Sequence, residues 1–139
     1  MINEREVIRI KIPYPTLQSN LALNAHMYIC KKIDNTIHEF IKCQTLKPYM
    51  LTQNIMKHFC DEYPNIKRNP FIRITRIDCD KIFVTNSVKS DSELRTTIRP
   101  EICLELYNDI INELHTDGYL TENINEEELI SLNSLIIKT

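Results

Sequence analysis

The chain has 139 residues, 42% of them hydrophobic, which suffices for one domain with its own core and is short for two. No apolar run approaches the roughly 20 residues of a membrane span, and Met1 to Glu6 lacks the basic and apolar regions of a secretory leader, so a cytoplasmic protein with no membrane contact is expected. A single glycine rules out a glycine-rich phosphate loop, the formal net charge of −2 selects no partner, and no cofactor is expected.

The distribution of charge says more than its sum. Residues 1–100 carry sixteen Lys and Arg against ten Asp and Glu, whereas residues 101–139 carry one Lys against nine acids. A basic body followed by an acidic tail fits a polyanion surface that the tail solvates, shields or competes for; two solvated helix faces give the same pattern. The five cysteines form no C-x-x-C pair and read as reduced, mostly buried thiols. His58 and Cys60, two apart, suit no helical ligand pair, so no metal site is expected.

In chain order, Val7 to Pro13 reads as a first strand, with Ile8, Ile10 and Ile12 on one side and Arg9 and Lys11 on the other. A polar loop from Thr16 to Asn24 is long enough to cover a site. Ala25 to Lys32 reads as a second strand, and Asp34-Asn35-Thr36 as a hairpin turn. The next stretch alternates cleanly, Ile37, Glu39, Ile41 and Cys43 against His38, Phe40, Lys42 and Gln44, and runs out at Thr45. Pro48 closes it.

Met50 to Tyr63 has helical spacing, with Ile55, Met56, Phe59 and Cys60 as its apolar stripe and Thr52 as a cap, which predicts a surface helix. Pro64 to Pro70 is a basic loop carrying Lys67 and Arg68; Phe71 to Asp78 and Lys81 to Thr85 are predicted strands. Pro100 is placed at the first position of a long helix with Ile102, Leu106, Ile110 and Leu114 on one face and Gly118 as its stop. A second helix starts near Asn125, with Glu128 completing a capping pattern and Leu129, Leu132, Leu135 and Ile136 as its apolar face. The expected class is α+β, mainly β, as one domain over 1–139 with an acidic helical extension from about 116 to 139.

Laid out in this way, Val7 to Pro15, Asn24 to Ile29, Lys42 to Lys47 and Asp78-Cys79-Asp80-Lys81 together resemble, in order and spacing, the MazF/PemK toxins across residues 5–115. The resemblance implies a small SH3-like β-barrel with a surface helix and C-terminal helices. It implies an endoribonuclease of a toxin–antitoxin system, cleaving single-stranded RNA without metal by attack of the ribose 2′-OH on its own phosphate. A homodimer and a cognate antitoxin are the implied partners. By motif position Thr45 matches the residue that hydrogen-bonds the phosphate, and Asp80 an acid in proton transfer.

The expected cations depart from the pattern. Asn24 and Asp78 stand where the family has arginines. Arg76 is the nearest substitute, with an ion pair to Asp78 or Asp80 as its other reading, and His26 is either a general acid or base or a satisfied, partly buried histidine. The expected catalytic set is therefore Thr45, Asp80, Arg76 and His26, with Asn24, Gln44, Lys47, Lys67, Arg68, Arg73 and Lys81 on the RNA. The alternative is a catalytically degenerate module of the same fold that grips nucleic acid or a partner protein without cutting. A third reading has the acidic helices of 101–136 docking another chain or covering the basic face.

Overall fold

A computed structural model describes residues 2–53 and 55–139. The strands are β1 (Val7–Ile10), β2 (His26–Asp34), β3 (Ile37–Thr45), β4 (Phe59–Glu62), β5 (Thr75–Asp78), β6 (Lys81–Asn86), β7 (Val88–Ser90), β8 (Leu120–Asn123) and β9 (Ile136–Lys138). Among the described residues four α-helices accompany them, α1 (Asn20–Leu23), α2 (Pro48–Thr52), α3 (Leu104–Leu114) and α4 (Glu126–Leu132), with a short 3-10 helix at Ser92–Leu94. The protein is thus mainly β with few helices.

β2 and β3 form a hairpin whose turn residue Asn35 takes φ 60°, a left-handed conformation that asparagine tolerates better than most side chains. The principal sheet runs β1-β2-β3-β5-β4, and β3 also pairs with β6. Its last three residues pair with β5, Thr45 opposite Thr75, while Ile37 to Phe40 pair with β6. One long strand therefore carries two shorter ones end to end along a single edge. All of these pairs are antiparallel; β8 adds to β6 in parallel, β7 and β9 make a separate two-stranded sheet, and the strands do not close into a barrel.

Both faces of the sheet are covered, so consecutive residues of a strand enter different cores. Ile8, Ile10, Tyr28, Phe40 and Phe83 form one cluster, completed by Leu129 of α4 and Ile136 of β9. Val7, Ile29, Ile41, Cys43 and Ile77 form the other, under Leu106, Ile110 and Leu114 of α3. The four-residue apolar spacing predicted for α3 is what places these side chains on the sheet.

Several predicted elements come out differently: the strands expected over Val7 to Pro13 and Phe71 to Asp78 are limited to Val7–Ile10 and Thr75–Asp78, and the loop Thr16 to Asn24 contains α1. The helix expected over Met50 to Tyr63 is only the short α2, with Pro48 in its first turn; Gln53 is already extended, and Phe59 to Glu62 are strand. Pairing of β4 with β5, Cys60 opposite Ile77, outweighs the local helical spacing, and Ile55 is left exposed. α3 begins at Leu104 with the Cys103 thiol as its cap, not at Pro100, because the preceding residues are held against β1: Val7 N–H donates to the Pro100 carbonyl and Ile102 N–H to that of Arg5. It ends at Leu114 with His115 as cap, leaving Gly118 (φ 79°) in the following turn. In the acidic tail, α4 starts as expected, Asn125 accepting from Glu128 N–H, but ends at Leu132; Ile136 is buried from strand β9 and Leu135 is exposed. The tail also supplies β8, so residues 120–138 contribute two strands as well as a helix.

Ile77 is fully buried between β3 and β4 in the α3-side core. Ile77→Ala should lower unfolding stability by about 3 kcal/mol, measured by urea denaturation, with the loss set by how far the neighbours collapse into the space.

Candidate functional site

At the end of β3 the sheet opens into a cavity of about 300 Å³. Thr45, Gln44 and Cys43 contribute from β3, His26 and Met27 from β2, Arg9 from β1, and Thr75 from β5. Asn20 of α1 borders it within the predicted covering loop, Lys47, Tyr49 and Met50 line it from α2 and its approach, and Ile72 and Arg73 from the chain leading into β5. Five residues predicted from sequence for the site, Thr45, His26, Gln44, Lys47 and Arg73, are thus brought together.

Three cations converge on the cavity without an acid beside them. Among the described residues, Arg9, Lys47 and Arg73 form no ion pair with any acid, unlike Arg5, Lys31, Lys42, Arg68, Arg76, Lys81 and Arg95. Three unneutralised cations around a cavity favour an anionic ligand, and the Thr45 hydroxyl adds a donor, whereas the Thr75 hydroxyl donates to the Arg73 carbonyl at 2.9 Å.

His26 has a defined role in this setting. Its Nδ1 lies 2.9 Å from the Asn24 carbonyl oxygen, which can only accept, so Nδ1 carries the proton and Nε2 keeps a free lone pair in the neutral ring. Burial lowers its pKa from the ordinary value, opposed by the Asn24 hydrogen bond and reinforced by Lys42 and Arg9. The ring is therefore held neutral near pH 7, poised as a proton acceptor.

The remaining predicted site residues lie away from the cavity. Arg76 is buried and occupied: its Nε and Nη2 donate to both Asp61 oxygens at 2.8 Å, Nη1 donates to the Met50 carbonyl at 3.0 Å, and the guanidinium stacks 3.7 Å from the Phe59 ring centre. Its ion-pair partner is Asp61, and neither Asp78 nor Asp80. Asp80 accepts the backbone N–H groups of Lys57 (2.7 Å) and His58 (3.1 Å). Lys81 donates to Tyr14 Oη at 2.6 Å, Arg68 is paired with Glu62 and Glu105, and Asn24 Nδ2 donates to Asn20. Lys67 sits exposed in the turn before β5 and does not line the cavity.

Arg76 and Asp80 nonetheless shape the site. Arg76 holds Met50, part of one cavity wall, and Asp80 holds Lys57 and His58 further along the chain. His58 is tied further to α3: its Nδ1 lies 3.1 Å from Glu113 and Nε2 2.8 Å from Asp117, contacts that both ring nitrogens satisfy as donors only in the imidazolium. Sequence reading missed Arg9, Tyr49, Met50 and Thr75. For Arg9 a signal existed, its alternation against Ile8 and Ile10, but only the strand order brings it beside Thr45.

Among the described residues no group of three or more His, Cys, Asp or Glu is placed to hold a metal, and no helix is long and apolar enough to cross a membrane. No protein-family model, curated protein or solved structure matches this chain.

The His58 clamp makes stability depend on pH. Its hydrogen bond to Glu113, with Asp117 and Asp80 adding attraction, raises the pKa above 6.5, so its contribution is complete below pH 6.5 and is lost as pH rises through the higher folded value. The melting temperature should fall across that interval, and His58→Gln should flatten the dependence.

Proposed function

We propose that this protein is a metal-independent endoribonuclease of the MazF/PemK toxin type, on an SH3-like toxin fold, cleaving single-stranded RNA in the cytoplasm. The observation that carries the reading is the set of unpaired cations Arg9, Lys47 and Arg73 around Thr45 and a neutral His26 in one cavity. The cations that the motif comparison leaves missing are supplied from β1, where Arg9 stands, and from the approach to β5, where Arg73 stands.

In this reading the scissile phosphate lies between Arg9, Arg73 and the Thr45 hydroxyl. His26 Nε2 takes the proton of the ribose 2′-OH as its oxygen attacks phosphorus. The P–O5′ bond breaks, leaving a 2′,3′-cyclic phosphate on one fragment and a 5′-OH on the other. Arg9 and Arg73 stabilise the charge that develops on the non-bridging oxygens, and Lys47 neutralises the departing 5′-oxygen, which is protonated by water at the open mouth. A cognate antitoxin and a homodimer belong to the same proposal.

Long single-stranded RNA incubated with the protein in the presence of a chelator should give fragments ending in cyclic phosphate. Thr45→Ala and Arg73→Ala should each slow cleavage by roughly 100-fold, the scale of one lost transition-state donor. Binding without cleavage would leave the degenerate binding module; absence of both ends the proposal. With His26 as base, the rate should rise as pH is raised through the ring's lowered pKa and level off above it, and His26→Ala should remove that limb together with roughly 100-fold of the rate.

A further inference from the structure

Beside the cation-rich cavity lies a second one of about 190 Å³, sharing Gln44, Tyr49 and Met50 as a common wall and extending to Lys42, Gln53 and Arg76. Its electrostatics are different. Arg76 is neutralised by Asp61, and Lys42 Nζ faces Asp78 at 3.7 Å, so the two cations bring no excess charge. That ion-pair distance exceeds a hydrogen bond, and among the described residues Lys42 Nζ has no acceptor within hydrogen-bonding range although the side chain is only 16% exposed. Among the described residues the side-chain amides of Gln44 and Gln53, which also line this cavity, make no hydrogen bond. A largely buried ammonium with free N–H groups is costly unless something supplies acceptors.

Resting on the proposed ribonuclease reading, we infer that this second cavity is the base pocket of the same site and selects guanine next to the scissile phosphate. A phosphate has no excess positive charge to meet here. A neutral ring edge with two adjacent acceptors does fit: guanine O6 and N7 match Lys42, as lysine reads them in nucleic acids generally. Gln44 and Gln53 supply amides for the remaining edge, and Tyr49 offers a flat face on which a base can stack. The shared Gln44–Tyr49–Met50 wall makes the two cavities adjacent subsites, so one nucleotide's base and phosphate can occupy both. Asp78 acts as a positioning residue, holding Lys42 over the pocket.

The test is NMR titration of the full-length ¹⁵N-labelled protein with two probes that resist cleavage, the 2′-O-methyl trinucleotides UGU and UUU. Both should move the backbone amides of Thr45 and Arg73. Only UGU should move the side-chain amide pairs of Gln44 and Gln53, and it should bind about tenfold more tightly. Replacing its guanine by 7-deazaguanine, which lacks N7, or making Gln53→Leu at this exposed position should reduce that preference. Equal affinity and equal shifts for both trinucleotides overturn the base pocket while leaving the ribonuclease reading standing. If neither probe moves Thr45 and Arg73, the ribonuclease reading fails and the pocket falls with it.

Discussion

The double pairing of β3 is the constraint on which the rest of the structure depends. Because β5 takes its last three residues and β6 its first four, the chain must leave the sheet between Asp78 and Lys81 and re-enter it at once. That break concentrates polar backbone in a small space, and the aspartates there answer it. Asp78 accepts from Asp80 N–H at 2.8 Å, the Asp80 carboxylate accepts from Lys57 and His58, and the Asp80 carbonyl accepts from Leu120. One short link therefore fixes β5, β6, the start of β8 and the chain at Lys57 and His58. An acid that motif comparison reads as a catalyst is spent on satisfying backbone donors, a use that a buried break in a sheet demands.

The same economy sorts the arginines. A guanidinium that is buried must be paired, and Arg76, almost wholly enclosed, has both an acid and a carbonyl as partners. Its hydrogen bonds to Asp61 hold its pKa above the ordinary value, so it stays a cation committed to the fold. Arg9 and Arg73 stand at the rim, where water covers the cost of leaving them unpaired, and that freedom is what suits them to an incoming anion. Burial predicts the division of labour better than position in a motif does.

Much of the fold was legible because its strands alternate and its long helix has four-residue spacing. The β2–β3 hairpin and the face of α3 follow from such local patterns, as do Gln44 and Thr45 at the end of β3. What was not legible rests on pairing between distant residues. Phe59 and Cys60 fit a helix by spacing, and only the neighbouring β5 makes them a strand. The parallel addition of β8 to β6 and the pairing of β9 with β7 join residues more than thirty positions apart, with no local trace in an acidic tail. Arg9 carried its signal in plain alternation, yet nothing in the sequence says that β1 lies two strands from Thr45.

In the proposed function, the two adjoining cavities let a fold with little excess charge separate two kinds of ligand chemistry. Lys42 and Asp78 are both desolvated, which lowers the lysine's pKa and raises that of the acid, and each limits the cost of the other's burial. Had Lys42 been unpaired, the second cavity would be a further anion site competing with the first. Had Asp78 come within hydrogen-bonding distance, one of the ammonium's three N–H groups would be taken and fewer would face the cavity. At 3.7 Å the charge is balanced while Lys42 Nζ meets no hydrogen-bond acceptor among the described residues, so in the proposed function the cavity offers direction without net attraction. Beside it, the rim cations offer attraction with little direction. A ligand that carries a phosphate and a planar acceptor edge a few ångströms apart uses both, and a ligand with only one of them uses half the site.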